Sequence, residues 1–456
     1  MKSKRILWKG FLLLILVLFH CGEPSKEFIS SRGKWLIDEK GRTLILRGIN
    51  FSERSKRPPF LPEVPYEDID KLKEWGFNAV RFLIIWEAIE PEKGNFSDEY
   101  LEKLTRWVDE FSKREIYILL DMHQDLYARK FGGDGAPEWT VFELPYEPVQ
   151  RWYLNYLSKA VIDNFDRFWR DKSLQEEYIK AWEFVIDRFK ENRFVIGYDL
   201  MNEPFFGSSN PLTGEFERFY LQPFYEKIIS RLKKIDKDHL YFFEPNIIAG
   251  GGFHCFLKKM PFDGLVYAPH YYDPTVLWEF PYDGDEDRTY SSLVLREKEA
   301  ERWGVPWVLG EFGILFHTYN SEEYLEDHMS LIEDFMIGSF YWNYNRERLD
   351  DMSPVDENGK EKCLSYCPLD VLSRPYPQKT YGELLRFKFD RIKKEFTMEF
   401  MSYGGKEPTE IYIPLRHFGK EPRVFIEGGR FEYLLKGQTF YLLAKEKKKY
   451  KVIISP

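Results

Sequence analysis

The chain has 456 residues, 43% hydrophobic and 31% charged, a globular composition too long for one ordinary domain and long enough for a barrel with a smaller module. A formal net charge of −9 excludes nucleic acid as a partner, because phosphate binding needs a basic face. Four cysteines (Cys21, Cys255, Cys363 and Cys367) exclude a disulfide scaffold and leave too few ligands for a zinc site, although Cys363 and Cys367 are spaced to pair in an oxidising compartment.

In chain order, the first 21 residues predict an export signal. Lys2, Lys4, Arg5 and Lys9 precede an unbroken apolar run over 11–19, and Cys21 follows directly. The run is too short to span a bilayer and has the flanks of a secretory signal. The layout resembles a bacterial lipoprotein signal with Cys21 as the lipidation site. Ordinary cleavage and an uncleaved anchor are the alternatives. The expected location is outside the cytoplasm, as a membrane-anchored lipoprotein of a bacterial envelope or as a secreted protein.

Residues 34–46 predict a hairpin turning at Glu39-Lys40-Gly41. Eight runs then read as buried strands: 44–49, 79–83, 116–120, 195–201, 240–243, 265–268, 307–310 and 339–342. Amphipathic helical patterns lie between them at 66–75, 99–114, 174–190, 216–235, 292–303 and 322–336. Alternating strands and helices imply a parallel sheet, and eight repeats imply a closed (β/α)8 barrel of the TIM type over 22–378. The stretch 127–171 is a long aromatic insertion containing Trp139, Tyr146, Trp152, Tyr153, Tyr156 and Trp169, of the kind that builds a binding face. Beyond Arg374-Pro375-Tyr376-Pro377 the texture changes to short alternating runs at 394–401, 409–414, 423–426, 431–435, 439–443 and 450–454. These predict a small antiparallel β-sandwich domain over 379–456.

Polar outliers mark the strand ends. The apolar run 196–201 leads to Asn202-Glu203-Pro204, and Val305–Gly310 leads to Glu311. A carboxylate at the end of a buried strand is costly unless it does chemistry. Two such carboxylates on separate strands suggest glycoside hydrolysis: one protonates the leaving oxygen, and the other attacks the sugar carbon or activates water. Arg81 lies on the second strand, His123 and Asp125 follow the third, His270 and Tyr272 follow the sixth, and Trp342 ends the eighth. Singly, Arg81 reads as an ion-pair former, His123 as a satisfied histidine and Trp342 as core. Jointly, in order, they mark the face where barrel enzymes work. Of the 18% aromatic residues, most are expected in the core and a minority in a groove.

The set Arg81, His123, Asn202 with Glu203, His270 with Tyr272, Glu311 and Trp342 resembles glycoside hydrolase family five, a family of retaining barrel enzymes. Further motifs resemble its endoglycoceramidase branch: Met122-His123-Gln124-Asp125, then Gly132-Gly133-Asp134-Gly135-Ala136-Pro137-Glu138-Trp139, Lys56-Arg57-Pro58-Pro59-Phe60, and Tyr267 to Pro274. The resemblance implies Glu311 as nucleophile and Glu203 as acid/base, with Asn202 on the sugar 2-hydroxyl. It also implies that Arg81 and Tyr272 orient Glu311, with His270 in support. Lys56, His123 and Asp125 would bind sugar hydroxyls, and Trp342 would stack on a sugar ring. The implied substrate is a glycosphingolipid cut between glycan and ceramide, with an apolar groove for the ceramide and contact with a membrane surface. No cofactor or metal is implied, and a monomer is expected. Two other readings compete: an endo-β-glucanase or β-mannanase of the same barrel family, and a non-catalytic surface binding lipoprotein. The latter would be marked by loss of a carboxylate or the Asn, and all are present. The charged segment 343–348 has no assigned part in sugar binding.

Overall fold

The computed structural model describes residues 28–278, 280–348 and 351–456, so the export signal and Cys21 lie outside the described residues. Eight strands form the central sheet: β1 (Arg47–Phe51), β2 (Ala79–Ile85), β3 (Tyr117–His123), β4 (Val195–Asp199), β5 (Leu240–Phe243), β6 (Leu265–Tyr267), β7 (Val308–Phe312) and β8 (Gly338–Tyr344). Neighbouring strands pair in parallel from β7 through β8 and β1 to β6. The ring closes between β6 and β7, where Tyr267 pairs with Trp307 and His270 with Glu311. The fold is therefore a (β/α)8 barrel. β2, Ala-Val-Arg-Phe-Leu-Ile-Ile, is buried at every position, as a strand covered on both faces must be.

The helices form for local reasons. Ser97 caps Asp98–Lys113 by accepting the Tyr100 N–H at 3.2 Å, and Asp171 caps Lys172–Phe189 by accepting the Ser173 N–H at 2.9 Å. The insertion after β3 differs from its expected form. Its second half is a regular amphipathic helix, Lys159–Arg170, whose Ala160, Val161, Asn164, Phe165, Phe168 and Trp169 face inward. Only the first half is irregular, with short 3₁₀ turns at Arg129–Phe131, Glu138–Thr140 and Trp152–Leu157. Strand β3 also runs further than expected, so His123 sits in its last position instead of in the loop.

The C-terminal region is antiparallel and two-layered. One layer contains Gly382–Asp390, Glu395–Ser402, Lys449–Ser455 and Arg423–Glu427 in that order. The other has seven strands, and three of them come from the N-terminal hairpin: Ser30–Arg32, Trp35–Ile37 and Thr43–Leu44. Thr43–Leu44 pairs with Tyr376–Thr380, which spans the expected boundary at 378. The hairpin thus serves both parts of the molecule. Leu36 and Leu44 pack with barrel residues such as Leu119, Phe242 and Phe340, and its backbone extends the sandwich.

Polar contacts lock the second layer onto the barrel. The Tyr376 hydroxyl donates to the Gly76 carbonyl at 2.8 Å, and the Tyr412 hydroxyl to the Glu74 carbonyl at 2.6 Å. Buried Arg374 bonds buried Glu333 at 2.8 Å through Nε, and Glu326 through Nη1. Cys363 and Cys367 form a disulfide. No helix among the described residues is long and apolar enough to cross a membrane. Glu333→Ala is expected to destabilise the fold by about 2–4 kcal/mol, because it removes the buried partner of Arg374 and leaves only the more exposed Glu326. Urea unfolding measures this, and a change below 1 kcal/mol would show that the pair does not join the two parts.

Candidate active site

The site is organised around Arg81, a fully buried guanidinium on β2. Every one of its five N–H groups has an acceptor. Nε donates to Asp199 Oδ2 at 2.9 Å; Nη1 donates to Glu311 Oε1 at 2.7 Å and Asn50 Oδ1 at 3.1 Å; Nη2 donates to Asn202 Oδ1 at 3.0 Å and Glu244 Oε1 at 2.9 Å. Asp121 adds a further ion pair at 2.9 Å. Four strand-borne carboxylates thus share one cation, and burial with the charges of Glu244 and Asp121 raises Asp199 well above the usual carboxylate range against the pull of Arg81.

Glu311, at the end of β7, is held by both oxygens. Oε1 accepts from Arg81, and Oε2 accepts the Tyr272 hydroxyl at 2.9 Å. Glu203 lies beyond β4 with φ of 38°, the left-handed region that side-chain-bearing residues rarely enter. Its side chain is 18% exposed. Burial raises its pKa, His270 opposes this, and the charges of Glu311 and Glu244 add to the rise. His270 stands between the two: its Nδ1 is 2.9 Å from Glu203 Oε1 and 3.6 Å from Glu311 Oε2. Burial disfavours a charge on His270, but Glu244 and Glu311 outweigh it and hold the ring protonated well above its ordinary range. One oxygen of Glu203, one oxygen of Glu311 and a His270 nitrogen lie within 4.8 Å of one another.

Gly310 makes room for this ring. A Cβ there would lie 2.9 Å from His270 Cδ2 and Nε2. Asn202 is equally constrained: its Oδ1 accepts from Arg81 and one N–H goes to the Gln124 carbonyl at 3.0 Å.

A second cluster forms one wall. Lys56 Nζ is 2.5 Å from Asp125 Oδ2 and 4.5 Å from the Trp342 ring centroid. His123 stacks on Trp342 at 5.6 Å, and its Nδ1 is 2.7 Å from Asp121. Burial and Lys56 oppose a charge on His123, yet Asp121 and Asp125 lift its pKa to about 9. Asp134, buried behind Asp125, is pushed up to about 7 by its burial against the pull of Lys56. Gly133 is required there, because a Cβ would fall 1.7 Å from the Asp125 carbonyl oxygen. Another part of the rim is apolar. Trp152, Leu157, Trp278 and Phe280 are each at least half exposed, and Tyr153 meets Trp278 edge-on at 5.6 Å. Leu277 and Phe253 both approach Gly251, and the adjacent Gly250 carbonyl accepts the Tyr272 N–H at 3.0 Å, so this rim runs up to the Glu311 partner.

All ten expected residues of the described region, Lys56, Arg81, His123, Asp125, Asn202, Glu203, His270, Tyr272, Glu311 and Trp342, converge on the C-terminal face of the barrel. Sequence reasoning missed Glu244, Asp121, Asp199, Asn50, Gln124 and Asp134. Glu244 carried a usable signal, since it ends the apolar run Leu240-Tyr241-Phe242-Phe243 much as Glu203 and Glu311 end theirs. Among the described residues, the acidic group Asp121, Asp199 and Glu244 encloses the Arg81 guanidinium.

Comparison with known proteins agrees with this geometry. Residues 37–348 match the model described as cellulase (glycosyl hydrolase family 5), and residues 374–454 match the glycoside hydrolase family 5 C-terminal domain. The chain is similar to endoglycoceramidase I of Rhodococcus hoagii (strain 103S), at 29% identity over 88% of this chain and 83% of the relative. It is also similar to an endoglycoceramidase of Cyanea nozakii, at 26% identity over 85% of this chain and 83% of the relative. A solved structure of endo-glycoceramidase II from Rhodococcus sp. in complex with ganglioside GM3 superposes with a TM-score of 0.82 at 27% identity, covering 93% of this chain and all of that one. Gly310→Ala is expected to cost about 1–3 kcal/mol by overpacking and to lower turnover at least 10-fold by displacing His270. Thermal unfolding and steady-state kinetics test this, and unchanged turnover would mean that the ring's position does not matter.

Proposed function

The chain belongs to glycoside hydrolase family 5, a family of retaining glycosidases, and on that premise we propose that it hydrolyses the β-glycosidic bond between the glycan and the ceramide of glycosphingolipids. The observation that carries the reading is that two unlike surfaces, one polar and one apolar, border the site of Glu203 and Glu311. The Lys56, His123, Asp125 and Trp342 wall presents hydroxyl-binding groups and a ring face suited to sugar. The apolar rim presents Trp278, Phe280, Leu277 and Phe253, exposed and apolar, which suits a lipid chain. The similarity to endoglycoceramidases over most of the chain supports the same reading.

Glu311 is the proposed nucleophile. Arg81 and Tyr272 hold both its oxygens, so one lone pair is presented to the anomeric carbon. Glu203, whose pKa burial raises, gives its proton to the leaving ceramide oxygen as the C–O bond breaks and the glycosyl ester on Glu311 forms. Once Glu311 is an ester, its negative charge no longer raises the Glu203 pKa. Glu203 then acts as base on water, which attacks the same carbon from the vacated side and releases Glu311. The short separation of the two carboxylates favours this double displacement over a single water attack, which needs a gap of roughly 6.5–9.5 Å. Asn202, beside Glu203 and fixed by Arg81 and Gln124, is the proposed partner of the sugar 2-hydroxyl.

The N-terminal sequence extends the proposal. A basic start, an apolar run over 11–19 and Cys21 support export with lipid anchoring at Cys21, or secretion. Either location would bring the apolar rim to a membrane surface that carries the substrate. The working form is proposed to be a monomer.

Two measurements test the reading. Protein lacking residues 1–21 is incubated in mild detergent with glucosylceramide, lactosylceramide, a ganglioside and carboxymethyl-cellulose. Free ceramide with an intact glycan is the expected product; sugar released from the polysaccharide alone would move the protein to the glucanase reading. Second, kcat/KM should be present below and lost above the raised pKa of Glu203, because the acid must be protonated. Glu203→Gln is expected to lose about 10²–10⁴-fold in rate and that alkaline limb with it, and Glu311→Gln is expected to lose on the order of 10⁴-fold or more. An alkaline limb that persists in Glu203→Gln would remove Glu203 from the acid role.

A further inference from the structure

Glu244 is a third carboxylate in the site, and the two-carboxylate mechanism does not use it. It follows β5 and is 1% exposed. Its backbone is fixed by the Tyr225 hydroxyl, which donates to the Glu244 carbonyl at 3.0 Å. Its side chain serves three partners. Oε2 accepts the backbone N–H of Glu203 at 2.9 Å. Oε1 is 2.9 Å from Arg81 Nη2 and 3.2 Å from His270 Nε2.

Two of these contacts meet on the same residue by different routes. Glu203 sits at φ of 38°, and its N–H reaches Glu244 Oε2 from that backbone conformation. On the side-chain end, His270 Nδ1 lies 2.9 Å from Glu203 Oε1. A carboxylate has only acceptors. Glu203 faces Nδ1 at hydrogen-bond distance, and Glu244 lies beside Nε2 at ion-pair distance without an aligned hydrogen bond; with an acceptor-only oxygen beside each nitrogen, the ring carries a hydrogen on each. A hydrogen given by His270 to Oε1 leaves Oε2 as the oxygen that holds the transferable proton. The other charged groups around Glu244 are Arg81, Asp121 and Asp199, on β2, β3 and β4, and Glu311 on β7; Arg81 also bonds Glu311, so Glu244 and the second catalytic carboxylate share one anchor.

We propose that Glu244 is a positioning residue for the acid/base: it clamps the Glu203 backbone in its left-handed conformation and, by its ion pair with His270, keeps a hydrogen on both ring nitrogens, so that the catalytic proton is carried on Oε2 of Glu203. The inference rests on the reading of Glu203 as acid/base. Glu244 itself neither gains nor loses a proton in the cycle. The proton leaving Glu203 Oε2 goes to the departing oxygen, and the one that returns comes from the attacking water.

The test compares two substrates in Glu244→Gln: a glycosphingolipid, whose leaving group needs protonation, and a dinitrophenyl β-glycoside, whose leaving group does not. The expected result is a loss of about 100-fold on the glycolipid, a burst of dinitrophenol followed by slow turnover on the aryl glycoside, and recovery of that turnover by sodium azide with formation of the β-glycosyl azide. Azide replaces the base-assisted water, so it rescues a misplaced Glu203 and does not rescue a damaged nucleophile or a damaged fold. Turnover of the glycolipid at the unmodified rate, or slow turnover of both substrates without azide rescue, would overturn the proposal. Failure of the unmodified protein on both substrates would overturn the acid/base reading and this inference with it. A second measurement needs no Glu244 variant. In the imidazole proton spectrum of the unmodified protein, the His270 signals, identified by their loss in His270→Asn, should show hydrogen on both ring nitrogens at neutral pH. A single ring hydrogen would overturn the proposal.

Discussion

The buried guanidinium of Arg81 is the interaction on which the rest of the site depends. Taking an isolated arginine out of water is prohibitively costly, so its five donors dictate what the surrounding strands must supply. Asp199, Glu311, Asn50, Asn202 and Glu244 each meet one N–H, and they come from β1, the ends of β4 and β5, and β7. One cation thereby sets the relative positions of Glu311, Asn202 and Glu244, the carboxylate that holds the Glu203 backbone and lies beside His270. The price of the arrangement is an excess of buried negative charge, relieved by the raised pKa of Asp199 and by a protonated His270.

A barrel suits this constraint. Parallel strands deliver their C-terminal ends to one face at fixed spacing, so the polar groups converge while the apolar residues before them fill the core. The loops then divide the labour. The segments after β1 and β3 and the end of β8 bring Lys56, Asp125 and Trp342 together. The insertion after β3 and the segments after β5 and β6 raise the apolar rim. The N-terminal hairpin caps the other end through Leu36 and Leu44 and joins the sandwich by pairing Thr43–Leu44 with Tyr376–Thr380. The sandwich stands as a structural brace bound through Arg374, Tyr376 and Tyr412.

How much of this was legible in the sequence follows from locality. Glu203 and Glu311 announced themselves because an ionisable group closing an apolar run is anomalous on its own terms. Arg81 was visible as a polar residue inside such a run, but its five partners were not, since they lie up to 230 residues away. Asp121 and Asp199 hid within their strands, where a single acid reads as a strand end. Glu244 has the same local signature as Glu203 and Glu311, but two carboxylates suffice for glycoside hydrolysis, so nothing in the sequence calls for a third. The helix Lys159–Arg170 carries a regular inward face, yet its density of large aromatic residues resembled a binding loop. The three-strand contribution of the hairpin to the sandwich could not be read locally, because strand pairing across more than 300 residues leaves no periodic trace.

The central claim is that Glu311 forms a covalent bond to sugar while Glu203 handles the proton. Its most direct test is to trap the intermediate with a 2-deoxy-2-fluoro β-glycoside bearing a dinitrophenyl leaving group, followed by proteolysis and mass spectrometry of the labelled peptide. The account predicts one sugar per chain, attached to Glu311 and turned over on addition of an acceptor. A label on Glu203, or full inactivation with no label on any carboxylate, would contradict it.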